Sequence, residues 1–173
     1  MRICGILERL SAVSGENKAA FAGRNPQQGL TQMIEELHRQ APDSVGDLLQ
    51  FQAEACDEEK GDYYLCALTS EWMRNAFGSL HGGMFATVMD QAMGFVAMYL
   101  MNGSAVTPSI QLNVTYYRPA KAGGELSVKV HVDAVTKSIM YLRTEITERA
   151  NPDRLLSSAT GIYAIKTFQK NLQ

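Results

Sequence analysis

The chain has 173 residues, of which 46% are apolar and 20% charged, with a formal net charge of -2. That length holds one ordinary domain with a full core and is short for two, and the composition lies far from that of disordered chains. The charge is unevenly spread, with 7 Lys/Arg against 13 Asp/Glu in residues 1–107 and 9 against 5 in residues 108–173. This is not the dense basic stripe of a nucleic-acid binder, but a net-positive second part suits a small polyanionic ligand such as a phosphorylated cofactor.

At the start, MRICGILERLSAVSGENKAA carries too short an apolar run, broken by Glu8 and Arg9, for a secretory leader, and is expected to be retained. Cys4, Cys56 and Cys66 are widely spaced and form no CxxC pair or Cys/His cluster, which argues against a disulfide framework and a zinc site and fits a reducing cytoplasm. Residues 1–62 read as a helical N-terminal extension, and residues 63–173 as the main domain. In QQGLTQMIEELHRQAP, Leu30, Met33, Ile34 and Leu37 share one helix face, and Pro42 ends the helix. Val45, Leu48, Leu49 and Phe51 suggest a second short helix, and Asp57-Glu58-Glu59 a solvated loop.

From Tyr63 a short strand, YYLCALT, leads through a loop containing Asn75 and Gly78 to the apolar segment HGGMFATVMDQAMGFVAMYLM. Its length approaches that of a membrane span, but Asp90 and Gln91 at its middle argue against one. A helix apolar on all sides is then one wrapped by its own domain. The Met-rich residues Met84, Met89, Met93, Met98 and Met101 read as core. Four strands follow, at about 107–117, 124–135, 138–149 and 155–168. In ELSVKVHVDA, Leu126, Val128, Val130, Val132 and Ala134 alternate with polar residues. Gly123-Gly124, Thr136-Lys137 and Asn151-Pro152-Asp153 punctuate them as turns between antiparallel neighbours. A sheet curled around one apolar helix buries that helix economically.

Two features in the long helix call for chemistry. Gly82 and Gly83 open it, although glycine costs ~1 kcal/mol relative to alanine in a helix interior. One reason is backbone access: the free N–H groups of a helix's first turn receive developing negative charge, as in an oxyanion hole. A tight turn or close backbone packing explains the pair equally well. Asp90, among Val88, Met89, Ala92 and Met93, must be desolvated unless it has a partner or opens to a cavity. It is either a group poised for proton transfer or a structural tie. Counted as nine residues, the stretch from Gly82 to Asp90 rises ~13.5 Å over 2.5 turns, which sets the two on opposite helix faces. If both act on one substrate, each works with the other's copy in a two-fold dimer.

The spacing Asn75-x2-Gly78-x2-His81-Gly82-Gly83-x6-Asp90 resembles the signature of the PaaI-type hotdog thioesterases, within the 4-hydroxybenzoyl-CoA thioesterase-like superfamily, and SIQLNVTYYRPAKAG resembles the strand after that family's helix. The resemblance covers roughly residues 63–168. It implies an α+β hotdog fold, an antiparallel sheet wrapped around a long central helix, with edge-to-edge pairing into a homodimer or a dimer of dimers. The implied activity is metal-free hydrolysis of acyl- or aryl-CoA thioesters, coenzyme A entering only as part of the substrate. Carried over by position, Asp90 is general base or nucleophile and Gly82 the oxyanion N–H. Asn75 and His81 orient substrate or water from the opposite subunit, and Ser109 holds water near the carboxylate. Plainer roles stand beside these: a helix cap for His81, a turn for Asn75, local hydrogen bonding for Ser109. Arg118, Lys121 and Lys137, in or near loops of the net-positive part, are candidates for the phosphates of coenzyme A or simply solvated charge. His38 and His131 receive no role. The alternatives are a non-catalytic acyl-CoA-binding hotdog protein, against which Asp90 speaks, and a hotdog dehydratase or hydratase, which calls for a catalytic His paired with an acid in a different motif.

Overall fold

A computed structural model describes residues 25–102 and 104–167. The helical reading of residues 1–24, Cys4 and Phe168 at the end of the last expected strand lie outside these. The first described element is α1, Pro26–Gln40, capped by Asn25, whose Oδ1 accepts from the Gln27 N–H at 3.0 Å, with Pro26 in its first turn. Leu30 and Ile34 are buried and Met33 and Leu37 pack beside them, which is the face expected from the periodicity. The next apolar group divides: α2, Val45–Leu48, is a single turn with Val45 and Leu48 exposed, while Leu49 and Phe51 enter the core.

Residues 52–57 correct the helical reading of this region. Gln52–Asp57 is a strand, β1, pairing antiparallel with β2, Asp62–Leu68, through a bulge between Ala53 and Ala55. The acidic run forms the hairpin turn, where the Lys60 Nζ meets the Asp57 carboxylate at 2.6 Å. A single 3-10 turn, Glu71–Met73, and a loop then lead into α3, Gly82–Met101.

The remaining strands are β3 (Ala105–Val106), β4 (Ser109–Tyr116), β5 (Glu125–Val135), β6 (Ile139–Glu148), β7 (Asn151–Ala164) and β8 (Lys166–Thr167). The main sheet runs β1-β2-β5-β6-β7-β4, every pair antiparallel, and β3 pairs with β8. In β5, Leu126, Val128, Val130 and Val132 face inward as expected, but a bulge between Val132 and Ala134 turns Val135 rather than Ala134 into the core. Asn151-Pro152-Asp153, expected as a turn, already belongs to β7.

The sheet wraps α3. Phe85, Val88, Met89, Ala92, Met93, Phe95, Val96, Ala97, Tyr99 and Met101 are buried on it, and α1 covers a further part, with the Phe51 ring edge-on to Phe95 at 5.3 Å. By length and composition α3 passes the test for a membrane span, and burial inside its own domain accounts for that apolarity. Among the described residues the edge strand β4 has no neighbour on its outer side, and Ile110, Tyr116 and Tyr117 beside that edge are exposed.

Candidate active site

The loop before α3 is fixed by Asn75. Its Oδ1 accepts from the N–H groups of Phe77 (2.9 Å) and Ser79 (3.2 Å), and its Nδ2 donates to the Ser79 Oγ at 2.9 Å. Gly78 turns the chain with φ +82°. The Asn75 side chain is therefore directed into its own loop, and at the loop's tip Phe77 is 94% exposed. His81 caps α3: its Nδ1 accepts from the Gly83 N–H at 2.9 Å, and its own N–H donates to the Met73 carbonyl. An accepting Nδ1 in a neutral ring leaves the proton on Nε2, available as a donor to something outside the chain.

The geometry separates the two glycines. A Cβ on Gly83 would stand 3.2 Å from the His81 Nδ1, so Gly83 serves the cap. A Cβ on Gly82 would meet nothing closer than the Tyr116 ring at 3.5 Å, an ordinary contact, and its three nearest neighbours are all atoms of that side chain. Close backbone packing therefore does not account for Gly82. Among the described residues no acceptor takes its N–H, which lies at the positive end of a 20-residue helix.

Asp90 is half-buried two turns further on. Its Oδ1 accepts from the Tyr163 hydroxyl at 2.8 Å, and the same hydroxyl lies 3.1 Å from the Asp90 carbonyl oxygen. No described residue hydrogen-bonds Oδ2. Burial, and then the adjoining Asp90 carboxylate, push the Tyr163 phenol well above its ordinary range, so it stays protonated and donates. Tyr163 is the site residue that the sequence reading missed; it comes from β7, 73 positions away. Ser109 starts β4 directly opposite Tyr163 in the strand register, at the Asp90 end of the site.

Gly82 and Asp90 are not on opposite faces of α3. Gly82 sits beside Tyr116 of β4 and Asp90 beside Tyr163 of β7, two adjacent strands. Counted as steps, the interval is eight, which leaves only ~80° between them around the axis and a rise of ~12 Å. It is the axial distance that keeps them from gripping one carbonyl. The basic candidates are likewise divided. Arg118 and Lys121 lie in the β4–β5 connection at the Gly82 end, where Lys121 bridges Ser79 and the Arg118 Nη1 donates to the Leu155 carbonyl. Lys137 lies in the β5–β6 turn at the other end of the sheet, where Ser138 accepts from the Ile165 N–H.

His131 belongs to a separate network on the outer sheet face: its Nδ1 pairs with the Asp62 Oδ1 at 2.6 Å, and the Lys129 Nζ with the Oδ2 at 2.9 Å. Among the described residues no three His, Cys, Asp or Glu side chains converge as metal ligands.

The Thioesterase superfamily family model matches residues 77–152, the stretch from the helix-entry loop through the first residues of β7. Over that stretch the chain is similar to the thioesterase superfamily, and its fold is the hotdog fold. Human acyl-coenzyme A thioesterase 13 is 33% identical over 76 residues, 44% of this chain and 54% of that protein; the chain thus spans about half the length of the curated relatives it matches. Among solved structures, the Escherichia coli PaaI protein from the phenylacetic acid degradation operon superposes with a TM-score of 0.66 at 17% identity, covering 82% of this chain and 97% of that one. A Streptococcus pneumoniae thioesterase protein solved with coenzyme A superposes with a TM-score of 0.59 at 19% identity, covering 68% and 90%. The expected sheet-around-helix architecture is correct, and the family match begins at Phe77, within the helix-entry motif that carried the resemblance.

Proposed function

We propose that the chain hydrolyses the thioester of an acyl- or aryl-coenzyme A to free acid and coenzyme A, in a site completed by a second copy of itself. One juxtaposition carries the reading: an N–H that no described residue takes, beside the edge strand β4 at the start of α3, and a carboxylate with one oxygen that no described residue bonds, beside the Tyr163 that pairs with Ser109 of that strand, lie ~12 Å apart along one helix. Neither can serve the other within one chain. If two β4 edges pair antiparallel about their centre, Tyr116 beside Gly82 in one copy comes opposite Ser109 beside Tyr163 and Asp90 in the other, and both sites are completed at once. The same pairing draws Arg118 and Lys121 of one copy toward Lys137 of the other, a cationic rim for coenzyme A phosphates.

In this arrangement the thioester carbonyl oxygen accepts from the Gly82 N–H, where the helix dipole favours the charge that develops in the transition state. The other copy's Asp90 acts through Oδ2, either taking a proton from the water that adds to the carbonyl or adding to it directly; the C–S bond then breaks, the coenzyme A thiolate leaves and is protonated, and in the second route water hydrolyses the acyl-Asp90 anhydride. The names of the human relative and of the coenzyme A-bound structure support the substrate class. The test is thiol release over a panel of acyl-CoA chain lengths and aryl-CoA esters. Asp90→Ala and Asp90→Asn should lower kcat by orders of magnitude in proteins that remain folded. Mixing Asp90→Ala with Gly82→Val chains should restore turnover in the heterodimer, because one of its two sites is then intact. No thiol release by the wild type across the panel overturns the activity, and a fully active stable monomer overturns the shared site.

A further inference from the structure

We infer that Tyr163 is a positioning residue for Asp90: its hydroxyl holds Oδ1 and the plane of the carboxylate, so that Oδ2 alone is left to react. The inference rests on the thioesterase reading and adds to it a residue from outside the helix motif. The Tyr163 O–H sits 2.8 Å from the Asp90 Oδ1 and 3.1 Å from the Asp90 carbonyl oxygen, and the charged oxygen is the stronger acceptor. The ring is 2% exposed.

Its seat is made by the strand itself. Gly161, two residues before it on the same face of β7, has no left-handed φ that would require glycine. A Cβ there would stand 2.7 Å from the Tyr163 Cε2 and 3.0 Å from the Met93 Cε and Sδ. Glycine weakens a strand interior, and here its missing side chain is the notch in which the tyrosine ring and Met93 lie. Two positions of β7 thus serve one contact with the middle of α3.

The choice of donor bears on the chemistry. An Arg or Lys in the same place would also pin the carboxylate, but its positive charge would oppose the use of the carboxylate as a base or nucleophile. Among the described residues no Lys, Arg or His pairs with Asp90; Tyr163 from β7 is the titratable group against it, and the nearest β4 residue in register, Ser109, does not titrate. A protonated phenol therefore orients the carboxylate without neutralising it, leaving Oδ2 aimed by a hydrogen bond instead of free rotation.

Tyr163→Phe removes the donor and keeps the ring. Its kcat on the best acyl-CoA of the panel should fall on the order of tenfold to a hundredfold with KM within about twofold. A merely structural tyrosine would not produce that split between kcat and KM in a folded protein. The 13C resonance of the labelled Asp90 carboxyl carbon gives a readout that needs no turnover, and its chemical shift at neutral pH should move in Tyr163→Phe, because the hydrogen bond to Oδ1 is gone. If that variant does not fold, Gly161→Ala, which crowds the ring from beneath, takes its place with the same expectations. An unchanged kcat together with an unchanged carboxyl resonance would overturn the inference. A wild type without thiol release would sink the thioesterase reading, while the NMR comparison would still decide the hydrogen bond.

Discussion

Gly82→Ala separates the two reasons a helix has for opening on glycine. The backbone at Gly82 is not left-handed, and the added methyl would meet nothing closer than the Tyr116 ring at 3.5 Å, so the fold accommodates it. Alanine is favoured over glycine by ~1 kcal/mol in a helix interior, and a fraction of that applies in the first turn. Stability should therefore be unchanged or rise by about 0.5 kcal/mol, roughly 1–2 °C in Tm for a domain of this size. Turnover should move the other way. Losing an oxyanion donor outright costs about 10²–10³ in kcat, and a methyl that obstructs the approach to the N–H should cost at least about tenfold. Gly83→Ala is the contrast, since its methyl would press on the His81 Nδ1 at 3.2 Å and loosen a helix cap worth ~1 kcal/mol. Urea denaturation and thiol release on the same preparations read both quantities. A Gly82→Ala protein with kcat/KM within about twofold of wild type would refute the access argument, as would one that unfolds.

Asp62 offers a test in acid. Burial pushes its carboxyl up, but hydrogen bonds from His131 and Lys129 outweigh this and hold it below the ordinary value. Its stabilisation is therefore present above the unfolded carboxyl value near 4 and lost as pH falls through the lower folded value. Asp62→Asn should cost ~1–2 kcal/mol at pH 7 in urea titrations, with the gap to wild type closing below pH ~4; a gap independent of pH contradicts the assignment. At the open edge, Ile110→Lys adds charge where the side chain is 59% exposed, so the single chain should stay folded while sedimentation shifts toward monomer and thiol release falls in step. Retained activity in the monomer would count against pairing through β4. Dialysis against a chelator should leave turnover unchanged, and loss restored by a divalent ion would reverse that expectation.

The long helix was legible because an apolar run interrupted by one carboxylate suits a helix wrapped by its own domain and little else, and the β5 alternation because its inward positions are aliphatic. β1 was not, since Gln52-Ala53-Glu54-Ala55-Cys56-Asp57 has no β-branched residue and owes its pairing to β2. Pro152 suggested a turn, yet a proline is tolerated near the start of a strand, where its missing N–H need not interrupt the ladder. The hydrogen bond from Tyr163 to Asp90 depends on a register between a helix and a strand 73 positions apart, which no local pattern encodes. Its one trace in the sequence is Gly161, a glycine inside a strand, which signals close approach without saying of what. The placement of Gly82 and Asp90 on opposite faces failed because inclusive counting added a step to the helical interval; the axial separation survives the correction.

The sheet has two margins, and they are finished differently. The β1 margin is short, kinked by the bulge at Ala53 and Ala55, and overlaid by α1, whose Gln27 Nε2 donates to the Ala53 carbonyl at 3.4 Å. The β4 margin runs eight residues with no such cover among the described residues. A subunit sticky on both sides would add neighbours without end and grow into ribbons. With one margin sealed, the proposed strand pairing would use up the edge left open among the described residues of each participant, so growth by this route would stop at two. On that proposal α1 is a chain terminator for assembly, and stripping it away should turn a closed pair into an aggregating species.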